Sequence, residues 1–476
     1  MANQNNDQSR RDPTVFKDYS KLSVDESRDQ TVIAELAAAA REIAYGRASV
    51  LLLGKRKDDE PIRIVTRYQD ELWTQNYVGV LWHQGKTFVI RSRFDDEEGH
   101  FTHYILADAL GLRGLHLPEQ NPQLVWKQTI EQVLAFIFVN RIKIAQKQGL
   151  YRAYTDYARN DSHPRGRIDI SRHIRLNPIT NGKIAYSGRE RSMDNPVNRI
   201  ILAAYSLLEK HYRELMTTLV HDNHTVKECI GQLRDNVPAI SRQEIAALMR
   251  QRDRKINSPL YKEWESVRRI ARMILRRMAP DLTKSADREM DGILIDMNDM
   301  WELYLEKVLR QTQRENLRLR SQHEYPVLLP PGEEKEGKRT FRPDFYWEQG
   351  EKTVLLADAK YKNAWSDIAA GKNGEAWKKV REDVFQVLSY MYVQECSRGV
   401  IICPVQGARR QEKPLEYVVS GKEHDARRFY VFGLTIPQGC ESSEDFTRQM
   451  KNAEEELRSW LKGLLPAGSQ ETELLV

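Results

Sequence analysis

At 476 residues, of which 40% are hydrophobic and 30% charged, the chain is too long for one ordinary domain and has apolar material for two or three cores. It has no apolar run long enough to cross a bilayer, and its first residues, MANQNNDQSRRDPTVFKD, lack an apolar signal core, so it reads as a cytoplasmic protein, neither exported nor membrane-embedded. Cys229, Cys396, Cys403 and Cys440 are scattered without a Cys-x-x-Cys pair, which argues against a zinc ribbon or a disulfide framework, and the net charge of +6 permits a nucleic-acid partner without requiring one.

Residues 1–28 are polar and read as a flexible tail. A β-rich domain is expected over 29–117. The Ala-rich segment Thr31 to Ala44 predicts a helix, and Ser49 to Leu53, Ile62 to Thr66, Tyr77 to Trp82 and Thr87 to Arg91 predict strands. Polar turns at Lys55 to Asp59 and His83 to Lys86 separate them. A mainly helical, basic middle region is expected over 118–285. Helices are predicted at Val125 to Gln148, Asn198 to His211, Arg242 to Arg250 and Leu260 to Met278, with strands at Arg165 to Ile170 and Lys183 to Tyr186. On the last helix Trp264, Val267, Ala271, Ile274 and Met278 share one face, and Arg268, Arg269, Arg272 and Arg276 decorate the others. Those arginines suit either phosphate or partner contact, or a solvated face. Pro280 and the polar stretch Asp287 to Asp291 mark a boundary, and a further domain is expected over 286–476, opening with a helix from Asp296 to about Gln313.

Chemistry concentrates after that helix. Phe341 to Trp347, a turn at Gln349-Gly350, and Thr353 to Tyr361 predict a β-hairpin. Its second strand is apolar, as a central strand should be, yet ends in Asp358 and Lys360, which share a face. Asp344 on the partner strand can lie across from Asp358. Two carboxylates so close repel each other, and a hard cation such as Mg²⁺, with Mn²⁺ able to substitute, resolves the repulsion through oxygen ligands. The cation could polarise a phosphate and activate water, while Lys360 orients the water or stabilises charge growing on the phosphorane. This is the logic of the PD-(D/E)xK nuclease fold, a central mixed sheet flanked by helices. That fold usually adds an acidic residue on a preceding helix, where Glu302 stands, and a following helix, here Asp383 to Tyr390. Gln386 and Tyr390 share a face of it, placed to touch the water or the DNA backbone. Arg398 to Pro404 is expected as the next core strand. The metal set is thus Asp344, Asp358 and Glu302, and the whole is an α+β or α/β multidomain protein.

With these residues in view, the chain resembles the McrC family, the nuclease subunits of McrBC modification-dependent (5-methylcytosine) restriction systems. The carboxy half carries the likeness through Arg342-Pro343-Asp344, Leu356 to Tyr361 and the Gln386 to Tyr390 helix. The middle carries it through Arg165-Gly166-Arg167-Ile168-Asp169-Ile170 and Asp194 to Ile201, and the amino part through Tyr77 to Leu81 and Thr87 to Phe94. The resemblance implies that Asp344, Asp358 and Lys360 are catalytic, with Glu302, Gln386 and Tyr390 assisting. It implies a Mg²⁺-dependent endonuclease acting on double-stranded, modified DNA, with a McrB-like AAA+ GTPase hexamer as partner. The amino and middle regions would dock on that motor and stimulate it. Arg167, Asn195 and Arg199 are candidates for the stimulation, against strand-packing or helix-capping roles.

A different class of reading is a non-catalytic adaptor that triggers a AAA+ motor and merely clamps DNA. The complete acidic-and-lysine set favours the enzyme. Two patterns are set aside. Gly79 to Thr87 has five residues between Gly79 and Gly85 where a P-loop needs four, and a strand follows it rather than a helix. The pairs His100/His103 and His221/His224 have no nearby cysteine or third histidine at zinc spacing.

Overall fold

The computed structural model describes residues 13–23, 30–45, 49–54, 61–84, 86–109, 122–221, 223–251, 255–279, 291–314, 316–328, 339–371, 374–407, 413–419 and 427–466. It is a mixed α/β protein with several sheets and, among the described residues, fourteen α-helices. The chain divides into two compact units, one of Met1–Gly111, Leu117–Trp126 and Met290–Val476, the other of Leu112–His116 and Lys127–Glu289. The expected boundaries near 117 and 285, and the turn at Lys55 to Asp59, lie outside the described residues.

The first unit holds a five-stranded sheet in the order Thr14–Lys17, Lys86–Arg91, Tyr77–His83, Asp291–Asp296, Ser49–Leu53. Helix Gln30–Ala44 buries Leu36, Ala39, Ala40 and Ile43 against Phe16, Leu81, Phe88, Ile90 and Leu294 of this sheet. Two features depart from the sequence reading. Thr14–Lys17, inside the segment read as a tail, is an edge strand parallel to Phe88–Arg91, and Phe16 is in the core. Asp291–Asp296, placed by its polar start at a domain boundary, is paired between Tyr77–His83 and Ser49–Leu53. The chain therefore returns to the amino-terminal sheet before building the carboxy half, and 29–117 and 286–476 share one unit rather than two. Gly79 to Thr87 runs through an antiparallel hairpin. The strand expected at Ile62 to Thr66 lies later, at Val65–Tyr68, paired with Glu71–Thr74.

The same unit holds a six-stranded mixed sheet in the order Arg318–Ser321, Phe345–Gln349, Lys352–Ala359, Arg398–Gln406, Arg428–Ile436, Leu415–Val418. Lys352–Ala359 pairs antiparallel with Phe345–Gln349 and parallel with Arg398–Gln406. Leu355, Leu356 and Ala357 are all buried because both faces are covered, which is why this strand reads as a continuous apolar run. On one face Leu356, Ile401 and Phe429 pack with Trp365, Val387 and Met391 of helices Asn363–Ala369 and Arg381–Val393. On the other stand helices Met297–Arg310 and Ser443–Leu464. Trp301 Nε1 donates to Ile402 O at 3.2 Å, and Trp460 rests on the rings of Tyr430 and Phe432.

In the second unit, helix Pro196–His211 buries Ile200, Ile201, Ala204 and Leu208, and Lys262–Met278 buries Trp264, Val267, Ala271 and Ile274. Two of the arginines expected on free faces of the latter are not free. Arg268 and Arg272 are buried; Arg268 pairs with Glu265, and Arg272 donates to Met249 O at 3.1 Å. A three-stranded sheet joins Ala153–Asp161, Ile184–Ser192 and Arg167–Ile168. The strand expected from Arg165 to Ile170 stops at Ile168 because Asp169 accepts from Arg172 N at 3.0 Å and starts helix Ile170–Leu176. Gly166 is required there, since a Cβ would stand 2.3 Å from Ser187 O.

Gly399, which opens the Arg398–Gln406 strand, tests the packing on the candidate site's flank. A Cβ there would stand 2.5 Å from Met391 Sδ and 2.9 Å from Val387 Cγ1. Gly399→Ala should destabilise the fold by about 1–3 kcal/mol, the usual cost of overpacking a core. A thermal melt checks it, and an unchanged melting temperature would contradict the tight contact.

Candidate active site

The six candidate residues of the carboxy half converge at one end of the mixed sheet. Asp358 is the penultimate residue of the Lys352–Ala359 strand and is 3% exposed. Asp344 immediately precedes the antiparallel partner strand, and its Oδ2 accepts from Ala359 N at 2.8 Å. Lys360 N donates to Ile402 O at 3.0 Å, continuing the ladder one residue beyond the strand. Its Nζ lies 2.6 Å from Asp358 Oδ2 and donates to Gln386 Oε1 at 3.1 Å. Gln386 Nε2 in turn donates to Tyr390 OH at 2.7 Å. These two residues stand four apart on helix Arg381–Val393, so the helical repeat puts them in reach of one another. Glu302, on helix Met297–Arg310, accepts from Gln322 Nε2 at 2.7 Å.

Electrostatics show that this cluster is short of positive charge. Asp344 has its pKa raised well above the usual carboxylate value, first by burial, then by the negative charges of Asp358 and Glu302. Burial works against the Lys360 ammonium, but Asp358, and beyond it Asp383 and Asp344, outweigh burial and raise its pKa above the ordinary lysine value. Lys360 therefore stays protonated through the neutral range. Asp358 Oδ2 is buried against the Lys360 ammonium, 2.6 Å away. One ammonium does not neutralise both Asp358 and Asp344, and buried carboxylates short of positive charge call for a further partner. Oxygen donors and a negative field that Lys360 only partly offsets fit a hard divalent cation, which Asp344 and Asp358 could hold with Glu302 beside them.

Two further residues belong to the site although the sequence reading passed over them. Gln322 ties Glu302 to the hairpin: besides its side-chain bond, its backbone N donates to Asp344 O at 3.1 Å. No sequence pattern marks it. Asp383 is buried and accepts from Lys362 Nζ at 2.8 Å and Trp365 Nε1 at 2.8 Å, and lies 3.9 Å from Lys360 Nζ. Its position three residues before Gln386 on the same helix was the available signal.

The candidates of the second unit separate from one another. Arg167 is exposed. Asn195 is buried and spends its side chain on the start of helix Pro196–His211: Oδ1 accepts from Val197 N and Asn198 N at 3.1 Å, and Nδ2 donates to Ser192 O and Met193 O. That is the helix-capping role, and it leaves Asn195 no surface to offer a partner. Arg199 is half-buried and paired with Asp194 through two bonds of 2.6 and 2.9 Å.

Of the histidine pairs, His100 belongs to a group whose ligand atoms lie within 4.8 Å of one another, Asp96, Glu98 and His100. Its bonds are those of a helix start. Asp96 Oδ1 accepts from Gly99 N and His100 N at 2.9 and 3.1 Å, and Oδ2 bonds His100 Nδ1 at 2.6 Å. Asp96 is thus already committed to helix His100–Ala109. Glu302, Asp344 and Asp358 are not gathered as tightly.

The raised pKa of Asp344 has a consequence for stability. Its folded form binds a proton more readily than the unfolded chain, so its contribution falls as pH rises from the ordinary carboxylate range through the raised value. Asp344→Asn keeps an acceptor for Ala359 N and removes the repulsion. Without divalent ions it should raise the melting temperature at pH 8, and the gain should vanish at low pH, where Asp344 is already neutral. Melts across pH check this; a variant less stable than the parent at pH 8 would contradict it.

A family model described as a McrBC 5-methylcytosine restriction system component matches residues 72–404. Among solved structures, the chain is similar to a refined half-complex from a tetradecameric assembly of Thermococcus gammatolerans McrB AAA+ hexamers with bound McrC. The identity is 16% and the TM-score 0.42, over 92% of this chain and 99% of that one. It is also similar to a chain of the Thermococcus gammatolerans McrBC complex solved by cryo-electron microscopy, at 17% identity and TM-score 0.27, over 63% of this chain and 88% of that one. No curated protein matches. No helix among the described residues is long and apolar enough to cross a membrane. With the family model spanning well over half of its length, the chain belongs to the McrBC 5-methylcytosine restriction system component family.

Proposed function

We propose that this chain is the DNA endonuclease subunit of a McrBC-type restriction complex, with a PD-(D/E)xK site at Asp344, Asp358 and Lys360. The observation that carries the reading is the cluster of Asp358, Asp344 and Glu302, with Lys360 Nζ 2.6 Å from Asp358 Oδ2 and the proton affinity of Asp344 raised by burial and by its acidic neighbours. Mg²⁺ held by Asp344 and Asp358, with Glu302, would supply Lewis-acid polarisation of the scissile phosphate and acidify the attacking water. Lys360 contributes a fixed positive charge where the phosphorane becomes more negative, a role that needs an ammonium that does not lose its proton. Gln386 orients that ammonium through its 3.1 Å bond, and Tyr390, accepting from Gln386, keeps its own hydroxyl proton free to meet the DNA backbone. A bare DNA clamp gains nothing from this arrangement, because buried carboxylates repel phosphate. The acidic set thus favours the enzyme over the adaptor that only clamps DNA.

Family membership supports modified DNA as the substrate and a AAA+ hexamer as the partner. McrB AAA+ hexamers with bound McrC are what the Thermococcus gammatolerans half-complex contains. On this chain the second unit suits docking: Ile168, Ile170, Ile174, Leu176 and Ile179 are exposed on and after the short strand Arg167–Ile168 and helix Ile170–Leu176, apolar side chains that a partner could cover. Arg167 is exposed on the same strand as Ile168.

Two experiments test the reading. Asp358→Ala should lower Mg²⁺-dependent cleavage of modified DNA by at least about 100-fold while the chain still folds and still stimulates the partner's nucleotide hydrolysis; undiminished cutting would overturn the assignment. Ile174→Asp should do the reverse, cutting partner stimulation by about tenfold or more, as loss of a central apolar contact does, without unfolding the chain. Full stimulation by that variant would remove this surface from the interface.

A further inference from the structure

Lys360 stands just beyond the end of its strand, where sheet hydrogen bonding no longer dictates the backbone. It is nevertheless bracketed by two anchors. On one side Lys360 N donates to Ile402 O at 3.0 Å. On the other, Tyr361 O accepts from Arg93 Nη2 at 2.9 Å. Arg93 comes from the amino-terminal part of the same compact unit, two residues after the Lys86–Arg91 strand.

The Arg93 guanidinium is itself closely held. Nη1 donates to Asp18 Oδ2 at 2.8 Å, and the Arg93 backbone N donates to Asp18 Oδ1 at 2.7 Å. Its charge lies 4.3 Å from the ring centre of Tyr361 and 4.8 Å from that of Tyr19. Tyr361 is held a second time, through its hydroxyl at 2.6 Å from Ser92 Oγ. Asp18 has no exposed surface; burial pushes its pKa up to about 6 against the pull of Arg93.

A buried ion pair is poor evidence of stability, since well-packed apolar residues often serve as well or better. What the pair does provide is direction. A planar guanidinium can bond a carboxylate with one nitrogen and a backbone carbonyl with another while lying against a ring, and a lysine ammonium cannot reproduce that fork. The carbonyl it holds belongs to the residue next to Lys360, and no group of the Asp18–Arg93 pair is a candidate for metal or phosphate contact.

We propose that Arg93, fixed by Asp18, is a positioning residue for Lys360: by holding the Tyr361 carbonyl it sets the backbone from which the lysine side chain reaches Asp358. The catalytic consequence rests on the nuclease reading; the positioning itself does not. The amino-terminal strand Thr14–Lys17, which delivers Asp18, then becomes part of what completes the site.

The test uses the full chain with its AAA+ partner and two conservative variants, Arg93→Lys, which keeps the charge facing Asp18, and Asp18→Asn, which keeps an acceptor facing Arg93. Two quantities are read: kcat and KM for Mg²⁺-dependent cleavage, and hydrogen–deuterium exchange of the peptide spanning Asp358 to Tyr361 without metal or DNA. For Arg93→Lys we expect exchange there at least tenfold faster, kcat down at least tenfold and KM for DNA within twofold, with exchange in the Val387 to Met391 helix unchanged. Asp18→Asn should shift both quantities in the same direction by less. Unchanged exchange at Asp358 to Tyr361 in either folded variant overturns positioning by that residue. So does faster exchange spread evenly through the unit, which would make the pair a general stabiliser, and so does an unchanged kcat beside locally faster exchange. If the parent does not cut DNA at all but the local exchange still responds, the nuclease reading falls and the anchoring of Lys360 stands.

Discussion

Everything in the candidate site follows from burying carboxylates faster than cations can compensate them. Asp358 sits inside the sheet, Asp344 and Glu302 add negative field, and one ammonium, Lys360, faces them all. In water such a cluster is unremarkable; at the end of a covered strand each uncompensated charge is costly. The structure meets that cost in part by raising the proton affinity of Asp344 and by setting the Lys360 ammonium 2.6 Å from Asp358 Oδ2. A site of this kind suits the cation, and through it the phosphate, of the proposed function.

The fold explains how the burial is achieved. The Lys352–Ala359 strand has neighbours on both edges and helices on both faces, so its last residues leave the sheet already desolvated. Helix Met297–Arg310 brings Glu302 to one side and helix Arg381–Val393 brings Gln386 and Tyr390 to another. The amino-terminal sheet is part of this construction. Asp291–Asp296 threads through it on the way to the Glu302 helix, and Gln406 and Gln438 donate from the mixed-sheet half to Arg93 O and Phe94 O at 3.2 and 3.1 Å. The amino-terminal strands therefore help to build the site's surroundings.

Much of the site was legible in the sequence because its residues are close along the chain. The hairpin from Phe345 to Ala359 and the strand from Arg398 follow from short-range apolar patterns, and the helical repeat pairs Gln386 with Tyr390. What escaped was long-range. The role of Thr14–Lys17 depends on a strand more than seventy residues away in sequence, and its polar flanks hide it. The strand at Asp291 begins with a charge and reads as a linker until its partners are known. Asp18, Arg93 and Gln322 carry no motif, and only tertiary structure brings them to the site. Conversely, Asn195 looked functional by likeness and is occupied in capping a helix, and Arg268 and Arg272 looked exposed by helical periodicity and are buried.

Two acidic groups on this chain compete as divalent sites, and one measurement separates them. Asp96, Glu98 and His100 are the tighter cluster, but Asp96 and His100 are bonded to each other at a helix start; Asp344 and Asp358 are looser and only partly offset by Lys360. Anomalous diffraction from crystals of the protein soaked in Mn²⁺ locates the ion directly. The account predicts a peak bounded by Asp344 and Asp358 that is lost in Asp358→Ala. A peak at Asp96, Glu98 and His100 with none at Asp344 and Asp358 would contradict it.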